Sequence, residues 1–144
     1  MILKRGITGF FDGDNCSLTE NGYMAFKQVC YCIQTNTTNL LDICKPDNAN
    51  YFYAHFNTYG KELYVLLNKY HPIIAFTNEL TFMNKVFINV PEKHVYFMNY
   101  DIVSADILNS PFTNIEYDLF KVELEQIKYW NPTSIGNIIF NEWD

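Results

Sequence analysis

A chain of 144 residues has the size of one domain, 1–144, and its 49% apolar content is enough for a core, which excludes a disordered chain. Ten Lys and Arg against 16 Asp and Glu leave a net charge of −6, all of it within residues 97–144, where eight acids face Lys121 and Lys128. That sign disfavours nucleic acid, which is gripped by Lys and Arg at its phosphates, and an anionic membrane surface; it favours a basic protein partner.

In chain order, charge at Lys4 and Arg5 is followed by no apolar leader, and no apolar run is long enough to span a bilayer. A cytoplasmic chain is expected. Arg5–Phe11 alternates as a first strand would, ending at the turn cluster Asp12-Gly13-Asp14-Asn15. Ser17-Leu18-Thr19-Glu20 fits a capping box, and Phe26, Val29, Cys30 and Ile33 recur at helical spacing, which predicts a helix over 18–34. Leu40, Leu41 and Ile43 make a short apolar piece before the Lys45-Pro46-Asp47 turn.

Tyr51–Phe56 reads as a strand, and Glu62–Leu67 as a short helix broken at His71-Pro72. Ile73–Thr77, Thr81–Val90 and His94–Tyr100 read as three further strands, with Pro91 in a turn. Ile102–Leu108 reads as a short helix. Residues 114–130 fit a helix through Tyr117, Phe120, Leu124 and Ile127, but also a strand through the alternation of Phe120, Val122 and Leu124; length and Glu, Leu, Lys and Gln content favour the helix. Asn131-Pro132 stops it, and Thr133 or Ser134 caps a last helix with Ile135, Ile138, Ile139 and Trp143 on one face. The expected fold is α+β: a mainly antiparallel sheet packed with helices near the N- and C-terminal ends.

Chemical motifs fail one by one. The acidic loop from Asp12 has Ser17 where a calcium loop needs Gly and Tyr23 where it needs a bidentate Glu. His55, His71 and His94 sit in separate elements, and Cys30-x-Cys32 has neither redox nor zinc spacing. Without a secretory signal, Cys16, Cys30, Cys32 and Cys44 read as buried free thiols. Gly6-Ile7-Thr8-Gly9 lacks the Lys of a phosphate loop. Glu123 and Glu125, two apart, do not share a face on a helix, though on a strand they would. No catalytic residue, cofactor site or metal site is assigned, and the chain reads as a binding protein, not an enzyme.

The ending Trp130-Asn131-Pro132-Thr133-Ser134-Ile135-Gly136, with Ile139-Phe140-Asn141-Glu142-Trp143-Asp144, resembles the C-terminus of small bacterial immunity proteins of polymorphic toxin and contact-dependent inhibition systems. The start, Arg5-Gly6-Ile7-Thr8-Gly9-Phe10-Phe11-Asp12, has a similar character. The resemblance implies a cytosolic protein that binds a cognate toxin domain and blocks its active site or its substrate access. A basic, nuclease-like toxin would suit the acids Asp101, Asp106, Glu116, Asp118, Glu123 and Glu125, with Tyr117, Tyr129 and Trp130 as apolar anchors. Two other readings stay open: a phage or mobile-element accessory module, and a small enzyme built on a Cys or a carboxylate pair.

Overall fold

The structure, a computed structural model, describes residues 1–12, 20 and 22–143. Cys16 and most of the expected turn at 12–15 and capping box at 17–20 lie outside the described residues. The fold is α+β. A five-stranded sheet runs in the order β2 (Thr38–Cys44), β3 (Tyr51–Thr58), β4 (Lys61–Asn68), β5 (Ile73–Thr77) and β6 (Asp101–Ile102). Its first four strands are antiparallel, and β6 runs parallel to β5. A second, two-stranded sheet pairs β1 (Ile2–Lys4) in parallel with β7 (Glu116–Asp118). The helices are α1 (Tyr23–Tyr31), α2 (Ala105–Leu108), α3 (Lys121–Trp130), α4 (Ile135–Ile139) and a 3-10 helix at Pro91–Phe97. They are spread along the chain rather than gathered at its two ends.

The period-two alternation of β3 divides the core. Phe52, Ala54 and Phe56 join Leu63, Val65, Leu67, Ile74 and Phe76 under α1 and the 3-10 helix, with Phe26, Cys30 and Phe97. The opposite face sends Tyr51, Leu66, Ile73 and Ala75 against α2, α3 and α4, with Leu108, Ile127, Ile135, Ile138, Ile139, Phe140 and Trp143. The last helix therefore docks as its apolar face requires, and Ser134 stands at its N-cap position.

Several expected elements are different. Residues 62–67 are strand, not helix. Tyr59 and Gly60 both take positive φ, 52° and 76°, as a two-residue hairpin turn of the mirror-image type demands. Thr58 then faces Lys61, and the ladder zips to Tyr51 and Asn68. Tyrosine is an uncommon residue at positive φ, so the turn leaves little trace in the sequence. Arg5–Phe11 is a set of turns, with Ile7 N–H donating to the Lys4 carbonyl, and the first strand precedes it.

Thr81–Val90 is not a strand either. Its backbone is satisfied by side-chain amides in place of a neighbouring strand. Asn137 accepts from Lys85 N–H at 2.8 Å and donates to the Lys85 carbonyl at 3.0 Å. Asn109 does the same for Phe87, at 2.8 and 2.9 Å. Among the described residues, one bridge, Phe76 to Ile88, is all the ladder this segment makes. His94–Tyr100 gives way to the 3-10 helix because Pro91 fixes φ at a helix start. The predicted helix over 18–34 narrows to 23–31. Those over 102–108 and 114–130 shorten to 105–108 and 121–130, each preceded by a short strand.

Candidate interaction surfaces

Five of the six acids expected at a partner surface are exposed: Asp101 on β6, Asp106 on α2, Glu116 and Asp118 on β7, and Glu125 on α3. All three residues of β7 face solvent, so Tyr117, half exposed, stands between two carboxylates. Asp118 pairs with Arg5 at 3.2 Å, but both side chains are more than half exposed and the pair contributes little. Met1 and Ile2 line two clefts at once. One, of about 630 Å³, holds Ile107, Thr113 and Glu116; the other, of about 350 Å³, holds Lys4, His71, Asp101 and Val103. Exposed Met1, Ile2 and Ile107 thus form an apolar patch with Glu116 in one cleft and Asp101 in the other.

Tyr129 and Trp130 occupy the last turn of α3. Tyr129 is 78% exposed. Trp130 is half-buried, stacked parallel on Trp143 at 6.3 Å, and its indole N–H donates to Gln126 Oε1 at 3.0 Å.

Glu123 departs from the expected surface. It is fully buried. Its Oε1 accepts from Thr8 N–H at 3.1 Å and Thr8 O–H at 2.6 Å, and its Oε2 accepts from Phe120 N–H at 2.9 Å. The carboxylate satisfies a backbone donor at the start of α3 and fastens the 5–9 turns to the helix. It offers nothing to a partner.

A second polar group completes this fastening. Asn50 and Asn68 each donate to the carbonyls of both Ile7 and Ile139, at 2.7–2.9 Å. Asn141 donates to the Thr8 carbonyl at 3.1 Å, and its N–H donates to Asn50 Oδ1 at 2.8 Å. The segments 6–9 and 139–143, neither of them in a ladder, thereby obtain backbone partners from buried amides.

Sequence reasoning missed the half-open face of the large sheet. Tyr51, Tyr53 and His55 alternate along β3, so they share one face with Tyr64 of β4. Tyr51 is covered by Phe140, whereas Tyr53, His55 and Tyr64 are partly exposed. His55 stacks on Tyr64 at 4.3 Å and pairs with Glu62. At the edge, the Cys44 thiol donates to Asp42 at 3.0 Å. At the covered end, buried Lys85 donates to both Glu142 oxygens at 2.7 and 2.9 Å, and Tyr51 O–H donates to the same carboxylate. The signal was present as Tyr-x-Tyr-x-His, a strand showing one polar-tipped aromatic face.

The cysteines are distributed differently from the expectation: Cys30 is buried, Cys44 half-buried and Cys32 exposed, all with free thiols. Cys30 lies under the α1 side of the sheet and His55 on the other, so the sheet separates them. Among the described residues, no three or more His, Cys, Asp and Glu gather as metal ligands would, and no helix is long and apolar enough to cross a membrane.

Burial raises Cys30 to about 12 from an ordinary 9.0. It also raises Tyr23, Cys44, Tyr51, Tyr64, Tyr70 and Tyr100, while Tyr53 is pushed up to about 12, first by its hydrogen bond with Cys44 and then by burial. In the unfolded chain these groups lose protons first, from about pH 9 upward, so the unfolded state is favoured as pH rises. Lys69 and Lys85, lowered by burial, act in the opposite sense, but they are two against eight. The urea midpoint is expected to be flat just below pH 9 and to fall above it. Cys30→Ala should remove part of that slope between pH 9 and 12; a midpoint unchanged above pH 9 would refute the account.

No family model matches the chain, and no curated protein and no solved structure is significantly similar to it.

Proposed function

We propose that the chain is an immunity-type protein of the bacterial cytoplasm, which neutralises a basic, nuclease-like toxin domain by stoichiometric binding and not by turnover. The observation that carries this reading is the apolar patch of Met1, Ile2 and Ile107 whose clefts hold exposed Asp101 and Glu116, with exposed Asp106, Tyr117, Asp118 and Glu125 on α2, β7 and α3. An apolar centre with a polar rim is the anatomy of a protein interface. The carboxylates speed encounter with a cation-rich surface, and those desolvated on contact couple strongly to it.

The test is capture of the product of the neighbouring gene at low and then moderate salt, by wild type and by a Glu116→Lys, Asp118→Lys, Glu125→Lys variant. Glu123 is left intact because it is buried. We expect one-to-one capture that weakens with salt, and its loss in the variant at an unchanged melting temperature. Equal capture by both proteins would remove this surface from the interface.

A further inference from the structure

The half-open sheet face described above has a charge and chemistry of its own. Tyr53, His55 and Tyr64 make a partly exposed aromatic row across β3 and β4. Tyr53 and Tyr64 meet edge to face at 6.1 Å, and His55 lies flat on Tyr64. Three exposed carboxylates border the row. Asp42 stands opposite His55 on β2, and Glu62 stands opposite Asn57 on β4. Glu79 follows β5 and is close enough to Tyr64 to help hold its hydroxyl above its ordinary value, after burial and Glu62. Lys85, whose ammonium lies over the Tyr51 ring at the covered end of this face, is buried and already neutralised by Glu142. Lys61 is next to Glu62 in the strand, so its side chain leaves from the other side of the sheet.

We infer that this face is a second contact surface, which receives an arginine-bearing segment of the basic protein partner across Tyr53 and Tyr64, with Asp42, Glu62 and Glu79 as counter-charges. The inference rests on the binding role proposed above and names a surface on the large sheet in addition to the acidic one around β7. The occupant follows from complementarity. A guanidinium stacks on tyrosine faces and at the same time donates in its plane to carboxylates. A lysine ammonium is a point charge that makes one of these contacts less well. An acidic or nucleic-acid occupant would meet three carboxylates. The surface is also prepared: the rings are held by one another and by the ladder beneath them, so little side-chain freedom is lost on contact.

The probe is a hexa-arginine peptide added to the isotope-labelled protein at low salt, followed by backbone NMR. Shifts are expected to centre on Asp42, Tyr53, His55, Tyr64 and Glu79. The Asp42→Lys, Glu79→Lys variant keeps Glu62 and its contact with His55. It should bind the peptide about tenfold more weakly, since reversing two exposed charges turns two attractions into repulsions. A hexa-lysine peptide should bind more weakly than hexa-arginine at this face. Shifts confined to Glu116–Asp118 and Glu125, or no shifts at all, would overturn the inference.

The neighbouring-gene product separates the two proposals. If wild type captures it and the Asp42→Lys, Glu79→Lys variant captures it equally well, the sheet face is not a contact while the binding role stands. If wild type captures nothing, the binding role fails, and the peptide still reports whether the face takes arginine.

Discussion

Replacing Glu123 with alanine is expected to destabilise the protein by about 3–5 kcal/mol, although single-sequence reasoning placed this residue on the surface. The change leaves two buried donors, Thr8 N–H and Thr8 O–H, and the half-buried Phe120 N–H without their acceptor. Each buried donor so orphaned costs about 1–3 kcal/mol. Water entering the space left by the side chain would recover part of this, which places the expected sum toward the lower end. Glu123→Gln should cost less, because one carbonyl oxygen can still serve one side of the pair of contacts. Thr8→Val removes the hydroxyl partner alone. In a double-mutant cycle, Thr8→Val and Glu123→Ala should be strongly non-additive, since both break the 2.6 Å contact. Urea unfolding measures all four proteins. A Glu123→Ala midpoint equal to wild type would mean that the carboxylate does not hold the 5–9 turns.

Gly136→Ala is expected to cost about 3 kcal/mol, a large effect for one added methyl group. A Cβ at this position would come within 2.2 and 2.7 Å of the Phe87 ring and 2.9 Å of the Leu108 carbonyl. Phe87 is 2% exposed and packs against Phe140 at 5.8 Å, so its ring has little room to withdraw. Overpacking of a filled core costs about 1–3 kcal/mol and sometimes more. The glycine is thus required by the close approach of α4 to α2 and Phe87, and not by its own backbone conformation. Shrinking the obstacle should help: Gly136→Ala with Phe87→Leu should be more stable than the sum of the two single changes predicts. Additive losses would indicate that the Leu108 carbonyl, and not the ring, is the limiting contact.

The parts of the fold that follow from periodicity were legible. The β3 strand, β5, the centre of α1 and the docked last helix each have an apolar pattern that one burial arrangement satisfies. The parts that depend on distant side chains were not. Nothing local in Thr81–Val90 says that Asn109 and Asn137 will occupy its backbone, and β-branched and aromatic content alone makes it look like a strand. The Tyr59-Gly60 hairpin was hidden for the opposite reason: its first turn residue is one that seldom adopts the required conformation.

At the surface, chain position was a fair guide to exposure for Asp101, Asp106, Glu116, Asp118 and Glu125. It failed for Glu123, where helix-start geometry and the 5–9 turns turned a charged residue inward. The aromatic row on the sheet was readable from Tyr51-x-Tyr53-x-His55. Net charge does not mark it, because the excess of acids lies in the last third of the chain, whereas the acids bordering the row are scattered over residues 42, 62 and 79.

The amide clasp built from Asn50, Asn68 and Asn141 has a consequence for how the molecule reaches its native state. The contact between Asn141 and Thr8 closes 133 residues of chain, and that between Glu123 and Thr8 closes 115. The β3–β4 hairpin closes two. Loop-closure entropy and the low driving force of a polar contact both delay the clasp until the sheet and its apolar faces have formed. It therefore acts as a late latch on the folding pathway. Interactions absent from the transition state set the rate of unfolding more than the rate of folding, so Asn141→Ala is expected to speed unfolding in stopped-flow measurements while leaving the folding rate nearly unchanged.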